Sequence, residues 1–320
     1  MLLNSGVELN DDYLARLREH GVSEICVYSP DVEGVAAEDA VSDASRIEAI
    51  ACAHECVQAA SENRALPAQR LLDVVEGVAD DLGRNRGGII AVSSARCERD
   101  WWEVHASNVA LLSLATAEAL GLDRAHLAQL GIGAMLHDIG LIGLSSEPMH
   151  ALDQEAIGPR RSHTVIGFQS LITNADISAT SAVISLQHHE RLDGSGFPKG
   201  LSGGPISIAV QICAAADVYD LMIAPPPFGR GISAHHALRD LRAQAAVAVE
   251  PVMAAFARAI APYPPGTVLR LRDGSSAVVR EARAIGAASL PVHIVSKNGG
   301  SGPVELDLAN DGEVAIEESQ

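Results

Sequence analysis

The sequence predicts a mainly α-helical protein with a small α/β segment ahead of the helices and a small β domain behind them. Its apolar mass is Ala, Leu, Val and Ile rather than aromatic: 48% of the 320 residues are hydrophobic and only 3% aromatic. Long Ala-rich periodic segments favour helix. Between about 88 and 262 one helix-period segment follows another, with Gly, Pro or Ser at the ends. After "APYPPG" (261–266) the pattern changes to short alternating runs.

Residues 1–34 read as a small α/β unit. "DDYLARLREHG" has a helix start at Asp11 or Asp12 and a stop at Gly21, and "SEICVYS" alternates like a strand. Residues 35–90 read as a helical connector, rich in Ala, Glu and Asp and broken at Pro67. It has no evident core of its own, so it is expected to face a second copy of the chain, as a homodimer, or a signalling partner. The block 91–262 predicts helices over Glu103–Leu120, ending at Gly121, and Asp123–Ile139, ending at Gly140. Ser162–Ile172, Ile177–His189, Ile206–Met222, Ser233–Ala246 and Pro251–Ile260 follow. Pro205 and Pro251 suit first-turn positions, and Ser233 suits an N-cap. Residues 263–320 read as the β domain. "TVLRLRDGSSAVVREA" is strand, Asp273-Gly274 turn, strand, and "PVHIVSK" and "VELDLA" continue the style.

The net charge of −18 excludes a non-specific binder of nucleic-acid duplexes, which needs basic surface for phosphates. An anionic nucleotide remains allowed where metals or a few arginines focus positive charge. No apolar run approaches the length of a membrane helix. "MLLNSGVELNDD" lacks the basic and apolar regions of a signal peptide, so a cytoplasmic protein is expected. Cys26, Cys52, Cys56, Cys97 and Cys213 form no C-x-x-C and read as reduced thiols. Cys52, His54 and Cys56 alternate along a helix and point different ways, so no structural metal is expected there.

The chemistry is signalled by polar residues inside apolar stripes. His105 shares a face with Val109 and Leu112, and His137 with Leu130 and Ala134, with Asp138 next. His163 opens a helix, and His188 and His189 end one. Asp217 lies on the face of Val210, Cys213 and Ala214. A lone histidine in such a place is ordinary core. Five histidines and two aspartates, spread over separate helices, are too many polar groups to bury without a shared purpose. Metal ions would satisfy them all. Imidazole with carboxylate suits iron, manganese or zinc. Seven ligand residues exceed what one tetrahedral ion needs, so two divalent ions are expected.

"LHDIG" (136–140) and "HHERLDGSGFP" (188–198) resemble the signatures of the HD-GYP domain, a bacterial branch of the HD phosphohydrolases. The resemblance runs over about 95–262, and the order of His105, His137-Asp138, His163, His188-His189 and Asp217 is the family's. It implies a helical HD-type core, two metals (often iron or manganese, with zinc compatible) and hydrolysis of cyclic di-GMP to the linear dinucleotide and GMP. It also implies one ion on His105, His137, Asp138 and Asp217 and another on His163, His188 and His189. Asp138 would bridge the two, and His137 and Asp138 would serve catalysis. Arg191, Asp193, Gly194, Gly196, Phe197, Pro198 and Arg230 would line the substrate.

The chain departs from the pattern where phosphate is held. Leu141 replaces the usual Lys, Phe197 replaces the signature Tyr, and "APPPFGRG" replaces an Arg-rich run, with Pro226 and Gly229 at the arginine positions. Trp101 stands where three-metal members carry Glu. These changes predict two ions and weak turnover. The alternative is a degenerate member acting as a cyclic di-GMP sensor or interaction regulator.

Overall fold

The computed structural model describes residues 7–19, 39–85, 89–90, 100–142, 161–225, 231–263, 265, 267–270, 275–281, 283, 289–295 and 302–307. The strand expected at "SEICVYS", the Gly21 stop, the Asp273-Gly274 turn and the 226–230 run lie outside the described residues.

Helix α1 (Asp11–Glu19) starts where Asn10 Oδ1 accepts from Tyr13 N at 2.9 Å. The segment around Pro67 folds as two helices, α2 (Asp43–Ser61) and α3 (Ala68–Arg84). Their buried faces, Ala49, Cys52, Ala53 and Cys56 on α2 and Leu71, Val75 and Val78 on α3, join the same apolar core as the helices that follow. The apolar faces of this pair are therefore covered within the chain.

Helix α4 (Trp101–Leu120) runs through the centre and is buried on nearly all sides. It ends at Gly121, whose φ of 77° is the left-handed conformation a side chain resists. Helix α5 (Arg124–Met135) begins at Asp123, which accepts from His126 N. Gly131 and Gly133 let α5 press against its neighbours. A Cβ at Gly131 would stand 2.5 Å from Val75, and one at Gly133 would stand 2.6 Å from Ile184.

Helix α6 (His163–Ile172), α7 (Ala179–Gln187), α8 (Ile208–Ile223), α9 (Ala234–Ala243) and α10 (Glu250–Ala259) complete the bundle. Ser178, Ser207 and Ser233 each accept from a backbone N–H three residues on, and Pro251 sits in the first turn of α10. Pro205, expected in a first turn, instead lies before Ser207, outside α8. Three helix ends fall short of expectation by two or more residues. α5 stops at Met135 rather than Ile139, α7 at Gln187 rather than His189, and α9 at Ala243 rather than Ala246. After α5 the apolar pattern runs on with Leu136 and Ile139 while the backbone tightens; after α7 polar residues follow, and Glu190 N donates to Gln187 O at 2.8 Å. Leu136 N reaches Ala134 O as well as Ile132 O, and Ile139–Leu141 is a single 3₁₀ turn.

Strands β1 (Val268–Arg270), β2 (Ser276–Val279), β3 (Ser289–Val295) and β4 (Gly302–Asp307) form an antiparallel meander in that order. Leu269 pairs with Ala277, and Val279 with Val292. An isolated parallel bridge joins Ile90 to Ile260. Among the described residues no helix is long and apolar enough to cross a membrane.

Candidate metal centre

Five elements deliver the seven predicted ligand residues to one place. His105 projects from the second turn of α4 and is fully buried. His137 and Asp138 sit in the tightened turn after α5, and His163 is the first residue of α6. His188 caps α7 with His189 following, and Asp217 lies in the middle of α8. Ending α5 and α7 early is what turns these side chains inward, because a continuing helix would carry successive residues round its surface.

Backbone contact fixes part of the spacing. A Cβ on Gly140 would lie 2.1 Å from the carbonyl oxygen of His163 and 2.6 Å from Gly167 N. Ser185 Oγ donates to His137 O at 2.8 Å, tying α7 to the same turn.

The two carboxylate oxygens of Asp138 face different groups. Oδ1 is 3.1 Å from His163 Nε2 and 3.3 Å from His188 Nε2. Oδ2 is 3.4 Å from His137 Nε2 and 3.9 Å from His105 Nε2. Asp217 Oδ1 adds a contact of 3.4 Å to His105 Nε2 and one of 3.9 Å to His137 Nε2. Among the described residues, three groups have ligand atoms within 4.8 Å of one another: Asp138, His163, His188 and His189; His105, His137 and Asp138; and His137, His188 and Asp217.

The proton positions test whether a cation belongs here. His137 Nδ1 donates to Ala134 O at 2.7 Å, and His188 Nδ1 donates to Ser185 O at 2.9 Å. A carbonyl only accepts, so the proton of each neutral ring is on Nδ1 and Nε2 carries a lone pair. Those lone pairs face Asp138 oxygens, acceptor against acceptor. Asp138 Oδ1 is buried and accepts no hydrogen bond of normal geometry. Such an arrangement is costly unless a cation lies between the acceptors. The donor set fits divalent ions that accept both imidazole and carboxylate.

Electrostatics point the same way. Burial pushes His188 and His189 down, His189 well below the ordinary range with its neighbour His188 adding to the effect. Neutral imidazole is the form that binds metal. Burial would raise the Asp138 and Asp217 carboxyls, but the surrounding histidines outweigh it and hold both below the usual carboxylate range. His105 differs. Burial pushes it down, while Asp217 and Asp220 on either side pull it up to about 9.

Sequence reasoning missed Asp220. It is fully buried, accepts from His105 Nδ1 at 2.7 Å through Oδ2, and accepts from Asn108 Nδ2 at 3.0 Å through Oδ1. It therefore sets the ring orientation of His105. The signal was present in "DVYD": a second Asp three residues after Asp217, on nearly the same helix face.

Glu190 was missed too. It is buried directly after the His pair and accepts from Lys199 N and Leu201 N, both at 2.8 Å. It draws the two limbs of the glycine loop together. Gly194 has a φ of 81°, and a Cβ on Gly196 would stand 2.4 Å from both Arg191 N and His189 O.

The residues expected to line the substrate occupy distinct places. Phe197 lies against the cluster, its ring stacked on His189 at 4.5 Å, and Pro198 follows through a cis peptide bond. Asp193 is engaged in the loop's own turn, accepting from Ser195 N at 2.9 Å and from Ser195 Oγ at 2.6 Å. Arg191 Nη1 donates to His188 O at 3.1 Å and to Glu190 O at 2.9 Å. Arg230 lies outside the described residues.

Residues 93–251 match the family model described as HD domain. Over 213 residues the chain is 29% identical to a cyclic di-GMP phosphodiesterase of Pseudomonas aeruginosa, covering 65% of this chain and 51% of that protein. Over 141 residues it is 36% identical to a cyclic di-GMP phosphodiesterase of Thermotoga maritima, covering 43% of this chain and 38% of the other. A 3'3'-cGAMP-specific phosphodiesterase of Vibrio cholerae is 29% identical over 150 residues, covering 46% of this chain and 32% of the other. The chain thus spans about half or less of the length of these relatives. A solved HDG"Y"P protein from Bdellovibrio bacteriovorus shares the fold, with a TM-score of 0.52 and 17% identity over 77% of this chain and 78% of that one.

Proposed function

We propose, from the match of residues 93–251 to the HD domain family model, that the chain is a metal-dependent phosphodiesterase of the HD-GYP type that hydrolyses cyclic di-GMP to the linear dinucleotide and GMP. The observation that carries this reading is the division of Asp138. One oxygen is turned to His163 and His188, the other to His137 and His105. Two ions are assigned accordingly. His105, His137, Asp138 and Asp217 would hold one, and His163, His188 and His189, together with Asp138, would hold the other. Iron or manganese suits the donor set, and zinc is compatible with it.

Trp101 supports two ions rather than three. Its indole stacks on the His105 ring at 4.9 Å and 12°, and its Nε1 donates to Ala224 O at 3.3 Å. It fills the space one turn before His105 with an apolar ring that offers no ligand.

Divalent ions held by these residues would supply a nucleophile at neutral pH and would neutralise charge developing on a phosphate. The chain's own residues do the rest. The Nδ1 contacts of His137 and His188 hold both rings with Nε2 inward, and Asp220 does the same for His105. Glu190 keeps the glycine loop closed beside His189, and Phe197 packs its ring against His189 at the edge of the cluster. The relatives named above include enzymes for cyclic di-GMP and for 3'3'-cGAMP. The motifs and two of these relatives favour cyclic di-GMP as the substrate.

The test is the full chain loaded with iron or manganese, its metal content measured, incubated with cyclic di-GMP and separately with 3'3'-cGAMP. Cyclic di-GMP should be opened slowly to the linear dinucleotide and GMP, with two ions per chain. Protein that holds two ions yet leaves both nucleotides intact would overturn the enzymatic reading.

A further inference from the structure

We propose, resting on that phosphodiesterase reading, that Arg161 is the cation that receives a substrate phosphate at the mouth of the metal centre, held ready there by Phe197. Arg161 is exposed and stands two residues before His163, whose Nε2 lies 3.1 Å from Asp138 Oδ1. Its guanidinium carbon is 5.0 Å from the centroid of the Phe197 ring, and that ring stacks on His189 at 4.5 Å. The charge therefore sits one aromatic ring away from a residue of the metal cluster.

The way it is held matters. A cation–π contact restrains the guanidinium without using its N–H groups. Arg161 makes no ion pair among the described residues, so its planar fork of donors is open to a phosphate, which it can grip with two parallel hydrogen bonds. The neighbouring Arg191 is not so placed, since it donates to the carbonyls of His188 and Glu190 and braces the loop. The site itself is rich in carboxylates, with Asp138, Asp217 and Asp220 together, and the chain carries −18 overall. A dianionic substrate approaching such a site needs a cation at the entrance.

The test compares wild type with Arg161→Gln, Arg161→Lys and Phe197→Leu, each metal-loaded and checked for metal content. Binding of fluorescently labelled cyclic di-GMP is measured at low and high salt, and hydrolysis by chromatography. Arg161→Gln should weaken binding by about tenfold or more, the loss of one charge-assisted contact. It should also flatten the salt dependence and leave the metal content unchanged. Arg161→Lys should fall between the two, keeping the charge but losing the fork. Phe197→Leu should weaken binding less than Arg161→Gln. Wild-type affinity and salt dependence in Arg161→Gln, against a wild type that binds, would overturn the Arg161 role and leave the phosphodiesterase reading standing. A loss of affinity accompanied by lost metal would also overturn it, as structural damage. Metal-loaded wild type that neither binds nor cleaves the dinucleotide would remove the reading itself, and the inference with it.

Discussion

Asp81 and Asp138 are both aspartates drawn out of water, but their surroundings are opposite. Asp81 Oδ2 accepts from Ser42 N at 3.1 Å, from Ser42 Oγ at 2.8 Å and from Ser45 Oγ at 2.6 Å, and Oδ1 pairs with Arg84. Burial pushes this carboxyl up, and those donors outweigh it and bring it down to about 2. Asp138 is ringed by imidazoles, and its Oδ1 accepts no hydrogen bond. A carboxylate that serves the fold finds its donors in its own chain. One that serves chemistry keeps its lone pairs turned toward something the chain does not supply. Buried charge alone does not separate the two cases; the unmet acceptor does.

The largest expected effect tests that distinction at Asp138. Asp138→Ala should abolish binding of both ions, measured by elemental analysis after metal loading and desalting. Added metal should raise the melting temperature of wild type by mass action and leave the variant unmoved. Full metal content in the variant, or a melting temperature that still rises with added metal, would make Asp138 a structural residue like Asp81.

Asp220 sharpens the comparison from one position further out. Asp220→Asn keeps the shape but weakens the anchor of His105. It should reduce metal affinity by about 10- to 100-fold, read by competition with a chelator.

Asp81→Asn belongs to the other class. It should cost about 1–2 kcal/mol of unfolding free energy and leave metal content and nucleotide binding unchanged. Denaturant titration beside metal analysis checks both.

The smallest effect is the acid limb of the same contrast. The folded-state pKa of Asp81 lies below its ordinary value of 3.8, so its contribution is present above about pH 4 and is lost as pH falls toward 2. In metal-free protein the stability gap between wild type and Asp81→Asn should therefore shrink between pH 4 and pH 2. A gap that stays constant would mean that the serine network is not what lowers this carboxyl.

Much of this was legible in the sequence, for a physical reason. His105, His163 and Asp217 interrupt apolar stripes, and the energetic anomaly of a polar group among Ala, Val and Leu shows in one dimension. The positions of His137 and His188 were legible but their local backbone was not. Apolar residues continue past Met135, so periodicity extended α5 over residues that turn away, while no Gly or Pro directly after Gln187 marks the end of α7. Asp220 was hidden because a second acid in "DVYD" reads equally well as a solvent-facing residue until packing shows otherwise. Arg161 was hidden for a different reason. Its significance comes from Phe197, 36 positions away in the chain, and no local pattern links a cation to an aromatic ring across two elements.

The contact between the backbones at Gly140 and His163 has a wider consequence. It acts as a gauge block of zero thickness: main chain rests on main chain, with no side chain in between. The separation of Asp138 from His163 then does not inherit the small adjustments that a core makes when one methyl group is exchanged for another. The interior can drift in volume, and the chain can gain or lose stability there, while the distance across the centre holds its calibration. The converse is just as sharp. One added carbon at Gly140 would spread the jaws of the site directly, with no soft material to absorb it.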